Sequence, residues 1–326
     1  MRSTRLPSWI ERVCGLDPRP VPPHVFALDA KALDFAAFGR GEGGLELLER
    51  HAEPLAEGAW TVAPPGLAPA DAGVLAERVA ALLERTSASV RQASLVLPDD
   101  WLRAVFVEHG ELPRQATDRD EVLRFKLRRL VPYRAEELRL ALLPAVPLSG
   151  QQEPRRALVG FANELALARF EEAFARHGVE LGQIVSAGLA MSAALLARRA
   201  DGDLLLLAAG GGSFTLAGWS GGEPILYRQK AVPDEWDEAT RREALVRELR
   251  LTRAFVEERL PQVRLPDPVL VVPAAEEELW REIASAGLGR DAAPFGNRAL
   301  PLAGLAPGAD WRALAPLVGA ASAEVR

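Results

Sequence analysis

The segment that decides the fold class of this chain is Leu204–Lys230, LLLLAAGGGSFTLAGWSGGEPILYRQK. An apolar run, a triple glycine, a second apolar run, a glycine pair and a third run follow one another. Runs of apolar and aromatic residues bounded by glycine and proline indicate strands joined by tight turns. The sequence therefore predicts a three-stranded β-meander.

The triple glycine Gly210-Gly211-Gly212, followed by Ser213, has two interpretations. Some ATPases hold phosphates with a strand, a glycine-rich turn and a returning strand, because backbone N–H groups approach a ligand closely where no Cβ intervenes. A plain meander uses the same glycines only for its turn. Glycine alone does not distinguish these interpretations.

A similar pattern occurs roughly 180 positions earlier, from His24 to His51. There VFALDA, ALDFAAF, GRGEGG and LELLER follow one another, and Phe35-Ala36-Ala37-Phe38 corresponds to Leu216-Ala217-Gly218-Trp219. A meander repeated at the head of each half of a chain predicts two related domains. Strands that alternate with helices along the rest of the chain indicate an α/β protein.

Composition limits the class of function. The chain has 326 residues, 48% hydrophobic and 26% charged, and a formal net charge of −6. This length suffices for two domains with separate cores. The negative charge argues against sequence-independent nucleic-acid binding.

The single cysteine, Cys14, excludes an internal disulfide and fits a reducing compartment. The N-terminal segment is too polar for a signal peptide, and charges interrupt the most apolar window, Leu189–Gly210.

Scattered polar residues give no further site. The four histidines lack the spacing of metal ligands, so no metal is expected. The acidic pairs Asp99-Asp100 and Glu136-Glu137 are expected to lie on solvated faces.

Seven short motifs along the chain are informative because of the order in which they occur. Their sequences are Leu95-Val96-Leu97-Pro98, Leu112-Pro113, Leu130-Val131-Pro132-Tyr133, Glu136-Glu137-Leu138, Val159-Gly160-Phe161, His177-Gly178-Val179-Glu180 and Val185-Ser186-Ala187-Gly188-Leu189-Ala190. In this order they resemble the type IV pilus assembly protein PilM family, over nearly the whole chain after Pro23. The cytoplasmic domain of the type II secretion protein GspL has much the same pattern.

The resemblance implies an actin-like (ribonuclease H-like) fold with two domains that face a nucleotide cleft. On this basis residues 1–23 form an N-terminal tail and residues 24–199 form domain I, with an inserted subdomain at about 98–149. Residues 200–310 form domain II, and residues 311–326 form a C-terminal helix that packs back on domain I. These bounds combine the resemblance with the repeat described above.

The resemblance also identifies the loops that an actin-like ATPase needs, and all of them are degenerate. The first phosphate loop keeps Asp29 but has Lys31 where a glycine is expected. The second keeps Gly210, Gly211, Gly212 and Ser213 without the acid. The adenosine loop has Pro273 after the late strand, where proline removes flexibility and a donor. These residues predict a pseudo-ATPase with no catalytic residues and no cofactor, although weak binding of ATP and Mg²⁺ stays open.

The resemblance implies a cytoplasmic assembly protein, peripheral to the inner membrane, that binds the short N-terminal peptide of a PilN-like membrane protein. Such a peptide would lie between domain I and its inserted subdomain, a site that suits capture of an extended chain. The candidate contacts are Phe125, Arg128, Arg129, Tyr133 and Leu140. Core packing is the alternative for Phe125 and Leu140. The alternative functions are a GspL-like component of type II secretion and an active actin-like ATPase with altered loops.

Overall fold

The computed structural model describes residues 22–29, 31–41, 44–56, 60–63, 66–69, 71–131, 134–148, 155–210, 212–232, 235–294, 300, 302–303 and 311–322. The predicted tail before Pro22 and the predicted site residues Gly211 and Tyr133 lie outside these residues.

The first sheet begins with the earlier of the two predicted meanders. Its strands are β1 His24–Leu28, β2 Ala32–Gly41, β3 Gly44–Pro54, β6 Gln92–Leu97, β10 Glu180–Ser186 and β16 Leu302–Ala303. Their order is β10-β6-β1-β2-β3-β16. The meander strands β1, β2 and β3 are antiparallel, whereas β6 and β10 continue the sheet in parallel with β1. This sheet and the helices on it form lobe I.

The second sheet begins with the meander in Leu204–Lys230. Its strands are β11 Leu204–Gly210, β12 Ser213–Ser220, β13 Glu223–Ala231, β14 Val269–Val271 and β15 Ala293–Pro294. Their order, β13-β12-β11-β14-β15, repeats the arrangement of lobe I, with β14 and β15 parallel to β11. This sheet and its helices form lobe II.

The two meanders also share their register. Phe26 pairs with Phe35 in lobe I, and Leu207 pairs with Leu216 at the equivalent position of lobe II. The predicted correspondence between Phe35 and Leu216 is therefore a correspondence of strand pairing as well as of residue type.

A bulge recurs at the equivalent place in each meander. The register shifts between Ala37 and Phe38 in lobe I, and between Gly218 and Trp219 in lobe II. A bulge increases the local twist of a strand, so both sheets bend at the same point.

Seven helices lie among the described residues. They are α1 Ala72–Arg85, α2 Ala116–Leu127, α3 Glu164–Ala175, α4 Ala187–Leu196, α5 Glu238–Arg259, α6 Glu277–Leu288 and α7 Trp311–Ser322. The side chain of Asn163 accepts from the N–H groups of Leu165 and Ala166 and thereby caps α3. Beyond the end of α3, Gly178 has a φ of +71°, which favours glycine because it has no Cβ.

Layers of helix and sheet alternate through the molecule. Helices α1 and α3 share an apolar cluster with one face of the lobe I sheet, and α5 and α6 share one with the outer face of the lobe II sheet. Between the sheets, α4 and α7 share a third cluster with the inner faces of both. The predicted C-terminal helix, α7, contacts α4, β1 and β6.

A small third sheet forms the inserted subdomain. Its strands are β7 Arg103–His109, β8 Leu138–Ala145 and β9 Arg155–Asn163, in the order β7-β9-β8. Helix α2 covers one face, where Leu123 and Leu127 pack against Val159 and Phe161. The opposite face contributes Leu158 to the cluster between the lobes.

The structure differs from the sequence-based prediction of the subdomain bounds. The predicted subdomain ended near position 149, but the central strand of its sheet is β9, which begins at Arg155. Strands β4 Trp60–Ala63 and β5 Gly66–Pro69, which the sequence did not predict, form an antiparallel hairpin.

Candidate functional site between the lobes

The carboxyl ends of three parallel strands meet at one edge of the lobe I sheet. Strands β1, β6 and β10 run in the same direction and are followed by Asp29, by Asp99 and by Ala187–Leu196 (α4). Ligands of open α/β sheets bind beyond the carboxyl ends of the strands. A ligand site is therefore expected at this edge of the lobe I sheet.

Asp29 forms the turn between β1 and β2. Its Oδ1 accepts from the N–H of Lys31 at 2.6 Å and from the N–H of Ala32 at 2.7 Å. Both Asp29 and Lys31 are exposed. One carboxylate oxygen of Asp29 thus stabilises its own turn, and the Lys31 N–H that a phosphate would need is already bonded.

The turn between β11 and β12 is open. A Cβ added at Gly210 would meet no atom within 4 Å, and Gly212 has a φ of +77°. Ser213 is half-buried and begins β12. Gly210, Gly212 and Ser213 therefore lie together at this turn, and no side chain among the described residues of lobe I lies against Gly210.

The predicted adenosine loop contains no glycine turn. Strand β14 ends at Val271, and Pro273 is the N-cap of a short 3-10 helix, Ala274–Glu276, that leads into α6. A proline at this point offers no N–H to a ligand.

The centre of the edge is occupied by Asp99, whose carboxylate accepts three hydrogen bonds. Its Oδ1 accepts from the N–H of Gly188 at 2.9 Å and from Oη of Tyr227 at 2.7 Å. Its Oδ2 accepts from Oγ1 of Thr215 at 2.6 Å. Gly188 belongs to lobe I, whereas Thr215 and Tyr227 belong to lobe II. We call these four residues, together with Ser186, the Asp99 cluster.

The prediction that Asp99 lies on a solvated face is wrong, because only 9% of the residue is exposed. Two adjacent acidic residues are typical of a surface. The hydroxyl groups that bond to Asp99 belong to Thr215 and Tyr227, which are distant in the sequence. A signal was available: Asp99 follows the apolar run LVLP, and a carboxylate at the end of a buried parallel strand lies at the edge where ligands bind.

Glycine at 188 permits the close approach of the two lobes. A Cβ there would lie 2.7 Å from Oδ2 of Asp99 and 3.0 Å from Oη of Tyr227. The side-chain amide of Gln229 makes a further link to this loop: oriented as its neighbours require, it donates to the carbonyl of Asp99 at 3.0 Å and accepts from the N–H of Asp100 at 2.8 Å.

The phenol of Tyr227 is a donor over the whole physiological pH range. Burial raises its pKa well above the usual value of 10.0, and the adjacent Asp99 carboxylate raises it further. Oγ of Ser186 lies 3.1 Å from the same oxygen. Because the single phenol proton points to Asp99, the hydroxyl of Ser186 donates to Tyr227.

The predicted peptide contacts are distributed over the inserted subdomain. Phe125 lies on α2 and is 75% exposed, so it is not a core residue. Arg128 and Arg129 follow it and are exposed as well. Leu140 is half-buried against the cluster beneath α2, so it packs in the subdomain core.

An apolar strip lies on the opposite side of β8. Arg139 bonds to Glu164 and Glu171 of α3, which turns its side of the strand toward lobe I. Successive side chains of a strand point to opposite faces, so Ala141 and Leu143 lie on the same face as Arg139. Ala141 is exposed, and Leu143 is 42% exposed. Leu165, in the first turn of α3, is 69% exposed.

In the ranges that the structure describes, no group of three acidic, histidine or cysteine residues is arranged to hold a metal ion. Among the helices given above, none is long and apolar enough to cross a bilayer.

The duplicated meander-led sheets, and the cleft between them, define the class: this chain has an actin-like fold. Among solved structures it is similar to a chain of the PilM-PilN type IV pilus biogenesis complex, with 20% sequence identity and a TM-score of 0.68. The match covers 93% of this chain and 97% of that chain.

Two further structures are more distant. The cytoplasmic domain of EpsL, an inner-membrane component of the type II secretion system of Vibrio cholerae, has 13% identity and a TM-score of 0.44 over 77% of this chain and 82% of that chain. The ethanolamine utilization protein EutJ from Carboxydothermus hydrogenoformans has 14% identity and a TM-score of 0.47 over 97% and 98%. No family model matches the sequence, and no curated protein matches it.

Proposed function

We propose that this chain is a non-catalytic assembly protein of a type IV pilus machine. In this role it binds the N-terminal cytoplasmic peptide of a PilN-like inner-membrane protein and is thereby held at the cytoplasmic face of the inner membrane. The supporting observation is the match to the PilM-PilN complex over nearly the full length of both chains, together with an exposed apolar strip beside an edge strand.

The inserted subdomain has the features that an extended peptide needs. Strand β8 is an edge strand of its sheet, so one side of its backbone has no partner strand among the described residues. An added strand would gain main-chain hydrogen bonds there. The exposed side chains of Leu143 and Leu165 offer apolar contacts to alternate residues of the peptide.

The residues of α2 offer a second set of contacts for the same partner. Phe125 presents a large apolar side chain to solvent, and Arg128 and Arg129 form no ion pair with any described residue. Unpaired arginines suit the carboxylate or carbonyl groups of a bound peptide. Tyr133 remains a predicted contact, whereas Leu140 packs in the subdomain core.

Absence of catalysis is part of the proposal. Phosphoryl transfer depends on positioned donors and metal-assisted charge stabilisation. Here the Asp29 carboxylate accepts from the N–H groups of its own turn, and the predicted adenosine loop begins with Pro273. The Asp99 carboxylate is hydrogen-bonded in the centre of the cleft. None of these features favours a bound triphosphate.

Binding is tested with a fluorescent synthetic peptide that matches the N-terminal cytoplasmic segment of the PilN-like partner. Changing Leu143→Glu should weaken binding about 10- to 100-fold, because a charge replaces an apolar contact. The matched control is Leu251→Glu on α5, where the leucine is 54% exposed but lies in lobe II. Equal affinity of both variants and wild type would exclude the β8 strip.

The α2 contacts are tested separately. The double change Arg128→Ala and Arg129→Ala should weaken binding of the same peptide, and an unchanged affinity would remove these arginines from the site.

Calorimetry with Mg-ATP tests the pseudo-ATPase assignment: we expect no heat of binding and no release of phosphate. Phosphate release that is lost on changing Asp29→Ala would establish an active enzyme instead.

A further inference from the structure

The donors of the Asp99 cluster converge on one carboxylate from both lobes. A main-chain N–H at the first turn of α4 comes from lobe I, and two hydroxyl groups come from lobe II. Asp99 has no ion pair with a lysine or arginine in the described part of the chain. The buried charge is therefore stabilised by hydrogen-bond donors alone.

We infer that the two lobes build an anion site between them, and that the chain's own Asp99 carboxylate is the ligand of this site. The internal ligand holds the lobes in their relative positions without a bound nucleotide. This inference does not depend on the proposed peptide partner, since it concerns only contacts within the chain.

The donors are arranged for an anion and not for a neutral group. Thr215 and Tyr227 each donate to the carboxylate, and the hydroxyl of Ser186 donates to Tyr227 and so fixes the direction of its proton. The N–H of Gly188 lies at the positive end of the α4 dipole. Side-chain oxygens in such a place usually come from the N-cap residue, but the N-cap Ser186 makes no such bond to α4. Asp99 supplies the acceptor instead.

The surrounding backbone keeps the carboxylate in this position. A Cβ at residue 188 would collide with Oδ2 of Asp99, so glycine makes room for it. The amide of Gln229, from β13, bonds to the backbone on both sides of the Asp99–Asp100 peptide. The side chain and the backbone of this loop are thus both held by lobe II.

Chemical rescue tests the inference. Changing Asp99→Ala removes the internal ligand and leaves its donors unpaired, which should lower the melting temperature by about 5 °C or more. Sodium formate, which supplies a carboxylate of similar size, should restore most of this loss, whereas sodium chloride at the same ionic strength should not. The matched control is Asp100→Ala, an exposed residue whose carboxylate accepts no hydrogen bond from the described part of lobe II.

Hydrogen exchange gives a local measurement. In Asp99→Ala, the amide of Gly188 should exchange about 10-fold or more faster than in wild type, and formate should slow it again. If formate acts no better than chloride on both measurements, the donors do not form an anion site and the inference fails.

A second variant covers the case in which Asp99→Ala does not fold. Tyr227→Phe keeps the aromatic packing and removes one donor, and it should also raise the exchange rate of the segment Ala187–Leu196. Unchanged exchange in Tyr227→Phe would overturn the role of the cluster in joining the lobes.

Discussion

Oη of Tyr227 donates a hydrogen bond to Oδ1 of Asp99 at 2.7 Å, and this contact joins two residues that are 128 positions apart in the chain. Tyr227 lies on β13 of lobe II, and Asp99 follows β6 of lobe I. Both groups are buried, so their bond is protected from exchange with water. The relative position of the lobes depends on polar contacts of this kind as well as on the apolar cluster around α4 and α7.

Changing Thr215→Val should lower the free energy of unfolding by about 1.5–3 kcal/mol, since a buried carboxylate loses one of its donors. Urea denaturation measures the change. The matched control is Thr240→Val: Oγ1 of Thr240 also donates to an aspartate, Asp237 at 2.8 Å, but at an exposed helix start. The control should lose only about 0.5 kcal/mol. Equal losses would show that burial does not strengthen the Thr215 bond.

Alkaline pH should separate the ionisation of Tyr227 from that of an ordinary tyrosine. Its pKa is raised in the folded state, so the stability it contributes is fully present below the unfolded value of about 10 and is lost as pH rises through the folded value. The chain has two tyrosines, Tyr133 and Tyr227. In a Tyr133→Phe variant, tyrosinate absorbance should therefore appear only together with unfolding. Ionisation near pH 10 while the chain remains folded, as judged by circular dichroism, would contradict this assignment.

Changing Gly319→Ala should destabilise the chain by on the order of 3 kcal/mol, although alanine favours helices more than glycine does. A Cβ at residue 319 would lie 1.8 Å from the carbonyl oxygen of Ala190, so α7 has to move away from α4. Thermal and urea denaturation measure the effect. The control is Gly210→Ala, where a Cβ meets no atom within 4 Å and the expected change is within about 0.5 kcal/mol. A neutral Gly319→Ala would mean that the helices do not cross this closely.

Changing Glu49→Gln should reduce stability at neutral pH and have little effect in acid. Hydrogen bonds from Ser87 and Thr86 lower the pKa of Glu49 from 4.5 to about 2. A lowered folded pKa contributes stability that is present above the unfolded value and is lost as pH falls through the folded one. Denaturation of wild type and Glu49→Gln between neutral pH and pH 2 should therefore give stability curves that converge as pH falls. A constant difference between the curves would argue against this pKa shift.

Local signals in the sequence were sufficient for the fold class. The strand at Phe35 and the strand at Leu216 have the same spacing of apolar residues, and the structure gives them the same register. The helix beginning after Asn163 was predictable from its periodicity and its stop at Gly178. By contrast, the hairpin of β4 and β5 was missed because its strands have only four residues each, too few to show a period.

The candidate site was predictable only in part. The Asp29 turn and the Gly210 turn follow strands whose signals are local, so their positions could be inferred. Phe125 was ambiguous, because the period of an amphipathic helix does not show which apolar residue lies outside the contact with a small sheet. The structure leaves it 75% exposed.

By itself, the sequence determined two meander-led sheets, because strand alternation and turn residues act over a few positions. Only the tertiary structure decided what fills the space between the sheets. The carboxylate of Asp99 receives its donors from residues 89, 116 and 128 positions away, and no local pattern encodes such contacts. They arise because parallel strands place their carboxyl ends at one edge, where a second lobe can meet them.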